Sequence, residues 1–146
     1  MKAVLDTNVI VSRYLSPNSI AAHILSAWEQ NTFTLVVSED ILAEYGAVLQ
    51  YDHIRKLHSM NELAIQDVID DFREVAVVVH PKVNLTVVTE DPKDDIFLEC
   101  GVEGNVNYIV SGDHHLLALH AYQGIHILPP AHFLEVLKEE RAKKAA

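Results

Sequence analysis

The N-terminal stretch MKAVLDTNVIV, residues 1–11, decides the fold. Its apolar run Ala3-Val4-Leu5 is typical of a short strand that is buried on both faces, as in a parallel sheet. Asp6-Thr7-Asn8 interrupts this run, and Val9-Ile10-Val11 resumes it. The stretch therefore predicts a buried parallel strand with an acidic residue placed at its interruption.

The rest of the chain alternates between strand-like and helix-like segments. We expect strands at residues 33–37, 75–79, 85–89, 107–110 and 125–128. We expect helices behind the turn at Ser19, behind the N-cap Ser38, over residues 61–73, from Asp91-Pro92, through Leu116 to Leu119, and from Ala131. This alternation predicts a three-layer α/β domain with a central, mostly parallel sheet flanked by helices. The domain is expected to span residues 1–137, with a charged, Ala-rich tail at 138–146 forming a solvated helix end.

Composition excludes several classes of protein. The 146 residues carry a net charge of −10, which argues against a protein that grips nucleic acid through bulk positive charge. Metal-bridged binding stays open, because divalent cations reverse the local sign. The single Cys100 excludes an intramolecular disulfide framework and a Cys-rich zinc module.

No apolar run approaches the ~20 residues of a membrane span. Asp6 also interrupts the first apolar stretch too early for a signal peptide. We therefore expect a cytoplasmic enzyme or binding domain that has no contact with a membrane.

Asp6 and Glu44 are acids in positions where the pattern calls for apolar side chains. Asp6 follows three apolar residues, where an unpaired buried carboxylate would be costly. Alternatively, the strand ends at Leu5 and Asp6 only caps a turn.

Glu44 lies within about 60° of Ile41 and Val48 on a helical wheel, inside or at the edge of the apolar stripe. Alternatively, it sits at the edge of that stripe and snorkels to water.

Asp94 and Asp113 are two further acids in positions that suit a functional site. Asp94 has Phe97 and Leu98 at i+3 and i+4, which puts it on the inward face of its helix; Asp95 fits only slightly worse and stays an alternative. A first-turn Asp is also ordinary helix-dipole chemistry. Asp113 lies just past the carboxyl end of a predicted strand, where ligands bind in open α/β sheets, although helix capping explains it comparably well.

Together, these four carboxylates lie on elements that can converge at one sheet edge. Close carboxylates raise one another's pKa and need a counter-charge to stay ionised. A set of oxygen ligands favours Mg²⁺ or Mn²⁺. Such a site activates water and stabilises phosphoryl displacement, so the pattern points to metal-assisted hydrolysis of a phosphodiester.

Four segments, in order, resemble the PIN domain: LDTNV at 5–9, SEDILAEY at 38–45, DDIFLEC at 94–100 and VSGD at 110–113. The resemblance runs from Lys2 to about Leu137 and is to the toxin components of bacterial and archaeal toxin–antitoxin pairs in particular. It implies a Rossmann-like sheet and an Mg²⁺- or Mn²⁺-dependent nuclease that cleaves RNA. It also implies homodimers and a small antitoxin partner.

The resemblance assigns roles residue by residue. The residues matching the acidic positions are Asp6, Glu44, Asp94 and Asp113, and those matching polar positions are Thr7, Asn8 and Ser111. On this basis we expect Asp6, Asp94 and Asp113 to hold one divalent ion directly or through water. Glu44 would bind the ion or orient a water. Thr7, Asn8 and Ser111 would hydrogen-bond the carboxylates, water or phosphate.

The pair His114-His115 departs from the resemblance. Relatives often carry an Asp two positions after the residue matching Asp113, where this chain has His115. Either both histidines are surface residues that cap the following helix, or His115 is an extra ligand that shifts the site toward Mn²⁺. The number and identity of metal ions therefore stay open.

Two other functions fit parts of the pattern. A haloacid-dehalogenase-like phosphatase also opens with an apolar strand and an Asp, but it needs a second Asp where this chain has Asn8. A PIN-fold module that binds RNA or protein without useful catalysis would keep the fold and lose metal affinity. The residue pattern does not separate an RNase from a DNase.

Overall fold

The structure is a computed structural model that describes residues 1–85 and 94–145. Its described strands form one six-stranded sheet in the order β3-β2-β1-β4-β6-β5. The strands are β1 (Lys2–Leu5), β2 (Thr34–Ser38), β3 (Val77–Val79), β4 (Tyr108–Val110), β5 (Ala121–Tyr122) and β6 (Ile125–Leu128). All neighbours pair in parallel except β5, which pairs antiparallel with β6. The predicted mostly parallel sheet is confirmed.

Helices connect and flank these strands. Over the described residues they are α1 (Thr7–Leu15), α2 (Ile20–Glu29), α3 (Glu39–Leu49), α4 (Asp52–His58), α5 (Glu62–Val75), α6 (Asp95–Glu103), α7 (His114–Leu117) and α8 (Pro130–Ala145). Helix α6 packs directly on β1, β2 and β4, while α1 packs on α2 and α3. The three-layer α/β architecture predicted from the alternation is thus confirmed.

The N-terminal stretch changes structure at its acidic interruption. Strand β1 ends at Leu5, and Asp6 is the N-cap of α1, accepting a hydrogen bond from the backbone N–H of Thr7 at 2.7 Å. The second apolar run, residues 9–11, therefore belongs to a buried helix and not to the strand. The cap decides this, because it lets the chain turn into a helix although β-branched residues follow.

Other boundaries differ modestly from expectation. Helix α5 runs to Val75, which shortens the strand expected at 75–79 to β3. The sequence pattern missed α4 and the two-residue β5; α4 has no buried residue and hence no apolar stripe to detect. The expected strand at 85–89 and the helix start at Asp91-Pro92 lie outside the described residues, except for Leu85.

Helix α8 is continuous from Pro130 to Ala145. Its buried residues are Phe133 and Leu137, and the residues from 138 to 145 are exposed apart from the half-buried Glu140. This fits a solvated helix end, and the division at 137/138 stays a prediction. Within the described ranges, none of the helices has the length and apolar character needed to cross a bilayer.

Helix α6 approaches the sheet closely at its carboxyl end. A Cβ atom added at Gly104, the residue after the helix, would lie 2.7 Å from Cγ1 of the fully buried Val36 and 3.2 Å from the carbonyl oxygen of Cys100. Neither neighbour yields easily, because one is a stiff β-branched side chain in a central strand and the other is backbone. The absence of a side chain at Gly104 sets how α6, and with it Asp94, sits on the sheet.

We expect Gly104→Ala to lower the free energy of unfolding by about 1–3 kcal/mol, the usual cost of overpacking a core. Chemical denaturation followed by circular dichroism measures this loss. The matched control is Gly46→Ala in α3, whose Cβ would meet Ile69 at an ordinary 3.5 Å and whose helix should gain stability. Equal stability of Gly104→Ala and wild type would contradict the packing argument.

Candidate metal centre

The candidate site lies at the carboxyl ends of the adjacent central strands β1 and β4. The backbone N–H of Asp6 donates to the carbonyl oxygen of Val110 at 2.9 Å, so the strand pairing continues into the site. One residue later, the N–H of Ser111 donates to the carbonyl oxygen of Leu128, at the end of β6, at 3.0 Å. Backbone hydrogen bonds thus fix Asp6 and Ser111 beside each other on the sheet edge.

The hydroxyl of Ser111 joins two of the predicted acids. It donates to Oδ2 of Asp6 at 2.5 Å and accepts a hydrogen bond from the backbone N–H of Asp113 at 2.9 Å. Ser111 is fully buried and Asp6 is only 4% exposed. Since the backbone around each residue is also hydrogen-bonded, this bridge holds the segments carrying Asp6 and Asp113 in a fixed relation.

Asp94, Asp113 and His115 form a second group at this edge. Each offers one ligand atom, and these atoms all lie within 4.8 Å of one another. Asp94 is buried ahead of α6, whereas Asp113 and His115 are half-buried around the start of α7. Asp95 is buried as well but is not part of this group.

Electrostatics link Asp6 to Asp113 and Glu44. Burial raises the pKa of Asp6 from 3.8 to about 6. Hydrogen bonds from Ser111 and Thr7 favour the ionised form and lower the pKa, while the negative charges of Asp113 and Glu44 raise it further. Glu44 is half-buried on α3 and near enough for its charge to act on Asp6. The edge therefore concentrates negative charge that a cation would relieve.

The polar pair after Asp6 is divided between core and surface. Thr7 is buried, and its Oγ1 has no hydrogen-bond partner among the residues that the structure describes. Asn8 is exposed and lines, with Ile20, Gly112 and Pro129, a largely apolar groove of about 400 Å³ beside the site. Only Thr7 is thus enclosed near the acids.

The hydroxyl of Tyr45 has a role at this edge that the sequence analysis did not predict. Tyr45 is fully buried, and its hydroxyl donates to the carbonyl oxygen of Leu5, the residue before Asp6. This bond ties α3, which carries Glu44, to the end of β1. A tyrosine at an apolar helix position is the available signal, since a buried tyrosine hydroxyl usually needs a partner.

The donor set fits a divalent cation. The carboxylates of Asp94 and Asp113 offer oxygen atoms within 4.8 Å of each other, and carboxylate oxygen is the ligand that Mg²⁺ and Mn²⁺ prefer. Asp6 is not part of that group and is joined to Asp113 through the Ser111 hydroxyl. The raised pKa of Asp6 has the cause expected of such a site, namely burial together with neighbouring like charges. Residues of this chain are therefore suited to hold one ion at the edge.

Comparison with known proteins assigns the family. A family model described as a PIN domain matches residues 2–115. The chain belongs to the PIN-domain family. An uncharacterized protein of Methanocaldococcus jannaschii is 31% identical over 119 residues, covering 82% of this chain and 75% of that protein.

A solved structure supports the fold of this PIN domain. One chain of the crystal structure of VapBC2 from Rickettsia felis bound to a DNA fragment from their promoter matches with a TM-score of 0.59. The match covers 88% of this chain and 98% of that chain, at 14% sequence identity. At that identity the likeness establishes a common fold, in agreement with the sheet described above.

The raised pKa of Asp6 predicts a pH-dependent stability in the absence of metal. Because the folded-state pKa exceeds the unfolded value, the contribution of Asp6 to stability is fully present below pH 3.8 and lost as the pH rises through about 6. In EDTA at pH 8, Asp6→Asn should therefore unfold at higher urea than wild type, with a gain of up to roughly 3 kcal/mol. Near pH 4 the gain should largely disappear.

The control is Asp67→Asn, which removes an exposed carboxylate from α5. It should follow wild type at both pH values. A gain for Asp6→Asn of the same size at pH 4 and pH 8 would contradict the assignment to ionisation.

Proposed function

We propose that this PIN domain is a divalent-metal-dependent endoribonuclease that hydrolyses RNA phosphodiester bonds. The observation that carries the proposal is the group of Asp94 and Asp113 with His115, whose ligand atoms lie within 4.8 Å of one another. Asp6, joined to Asp113 through Ser111 and subject to the charge of Glu44, would complete the acidic set. Membership of the PIN-domain family supports a nuclease in general. Mg²⁺ and Mn²⁺ are the cofactors we propose.

A bound divalent cation would supply charge stabilisation to the phosphate and lower the pKa of water. The chain's own residues prepare the site for it. Ser111 holds the Asp6 carboxylate through its hydroxyl, and the helix-capping role of Asp113 fixes one carboxylate oxygen against the N–H of His115 at 2.7 Å. Fixed carboxylates lose little freedom when they bind an ion, which favours binding.

Glu44 and Thr7 complete the proposed arrangement. Glu44 is half-buried and its charge acts on Asp6, and in this proposal it accepts a hydrogen bond from a water molecule at the edge. The buried Oγ1 of Thr7 offers a donor for a carboxylate or for water. In this proposal, both orient groups around the scissile phosphate.

We extend the proposal to the toxin of a toxin–antitoxin pair acting in the cytoplasm as a homodimer. Support comes from the likeness of the chain to part of VapBC2, which was crystallised with a DNA fragment from their promoter. A small antitoxin protein would then be the partner. Co-purification of this chain with the product of the adjoining gene tests the pair.

Cleavage assays with metal titration test the enzyme directly. With single-stranded RNA and Mg²⁺ or Mn²⁺, we expect wild type to cleave and Asp113→Asn to be slower by at least about a hundredfold, because several kcal/mol of charge stabilisation depend on the ion. Asp67→Asn should cleave at the wild-type rate. Matched DNA oligonucleotides decide between RNase and DNase.

Three outcomes would contradict this proposal. Turnover of small phosphomonoesters with no cleavage of RNA would indicate a phosphatase. The absence of Mn²⁺ binding at millimolar concentration in calorimetry would indicate a binding module without catalysis. Cleavage by Asp113→Asn at the wild-type rate would indicate a contaminating nuclease or a different site.

Ser111→Ala tests whether the hydroxyl bridge prepares the site. Without the hydroxyl, Asp6 loses a hydrogen bond and the N–H of Asp113 loses its acceptor. We expect Mn²⁺ affinity to fall about 10–100-fold, the usual effect of removing a residue that orients a metal ligand. Isothermal titration calorimetry measures the change, with Ser26→Ala on α2 as the control. Unchanged affinity would assign Ser111 a purely structural role.

A further inference from the structure

The group Asp94, Asp113 and His115 contains one imidazole beside two carboxylates. The His115 side chain is 31% exposed, and its ring lies against that of the exposed His114 with 4.1 Å between centroids. Its backbone N–H donates to Oδ1 of Asp113. This hydrogen bond fixes the backbone of His115 relative to the Asp113 carboxylate. The nuclease mechanism proposed above assigns no role to the His115 side chain.

The spacing inside the group suits a shared ion better than a direct bond. Nδ1 of His115 lies 3.7 Å from Oδ1 of Asp113, which is too long for a hydrogen bond. In octahedral coordination with bonds near ~2.1 Å, adjacent ligand atoms lie about 3 Å apart and opposite ones about 4.2 Å apart, and these two distances bound an interval. The observed separation falls in that interval. Within the described residues, the ring nitrogens of His115 make no hydrogen bond that would compete.

We propose that His115 is a ligand of the divalent cation, together with Asp94 and Asp113, and that it makes the site bind a transition-metal ion such as Mn²⁺ more tightly than Mg²⁺. The inference rests on the metal centre of the proposed function. Mg²⁺ binds carboxylates and retained water, whereas imidazole nitrogen is a good ligand for transition-metal ions. One imidazole among carboxylates therefore shifts selectivity without abolishing binding of either metal.

The decisive experiment is pulsed electron paramagnetic resonance of the full-length protein loaded with Mn²⁺, which detects coordinated imidazole nitrogen without any turnover. Wild type and the neighbour control His114→Ala should give nitrogen modulation from a directly bound imidazole. His115→Ala and His115→Asp should lose it. Circular dichroism of the metal-free variants verifies that each is folded.

Metal titrations give the selectivity. Calorimetry with MnCl₂ and MgCl₂ should yield a Mn²⁺ preference in wild type that falls about tenfold or more in His115→Asp, since even outer-shell changes alter metal affinity 10–100-fold. His115→Asp retains a third ligand of harder character, so it should still bind Mg²⁺. His114→Ala should keep the wild-type ratio.

The outcomes separate this inference from the proposed nuclease. Mn²⁺ bound without nitrogen modulation in wild type, or an unchanged metal preference in His115→Asp, overturns the role of His115 while RNA cleavage stands. Nitrogen modulation in wild type together with no RNA cleavage supports the ligand and overturns the nuclease. Failure of wild type to bind Mn²⁺ overturns both.

Discussion

The burial of Asp6 beside other carboxylates at one sheet edge is the constraint on which the rest of this site depends. Desolvation of Asp6 is the largest cost, and the charges of Asp113 and Glu44 add to it. Asp94 and Asp113 in turn offer oxygen atoms within 4.8 Å of each other. The fold offsets part of that cost with hydrogen bonds. The Ser111 hydroxyl and the Thr7 N–H stabilise ionised Asp6, and the N–H of His115 stabilises Asp113. The part of this cost that the hydrogen bonds do not offset in the metal-free protein favours the binding of a cation.

The order of the strands in the sheet brings these acidic residues to one edge. Strands β1 and β4 are neighbours in the centre of a parallel sheet, so both deliver their following residues to the same edge. Both strands are buried, and the side chains that fill the core around them are apolar. A polar network at this edge is tolerable because the hydrophobic layers beneath it keep its positions fixed. Tyr45 adds a further tie, since its hydroxyl anchors α3 to the end of β1.

The sequence was sufficient for the sheet architecture and for the strand-end position of the acids, because both follow from short-range patterns. Asp6 illustrates the limit of such patterns. From the sequence, a turn cap and a buried site acid are alternatives, whereas the Asp6 side chain caps α1 and also bonds Ser111. Helix α4 was missed because it buries no residue and leaves no periodic signal. The closeness of Asp94 to His115 depends on where α6 and α7 begin relative to each other in the folded chain, which no local pattern encodes.

The acidic residues of the chain fall into two groups with different consequences. The acids at the sheet edge are held close together and attract a cation, which inverts the local charge that a phosphate would meet. Other acids, such as Glu39 and Asp70 around Arg73, are exposed and make surface pairs of small energetic value. They leave a negative field that opposes nucleic acid at long range. If RNA is the substrate, few phosphates can be neutralised by basic side chains, so affinity must depend weakly on salt and strongly on the ion and on local contacts. Under the proposed function, a PIN domain of this charge would discriminate between substrates by the geometry of its acidic sheet edge, because bulk attraction contributes nothing to its selectivity.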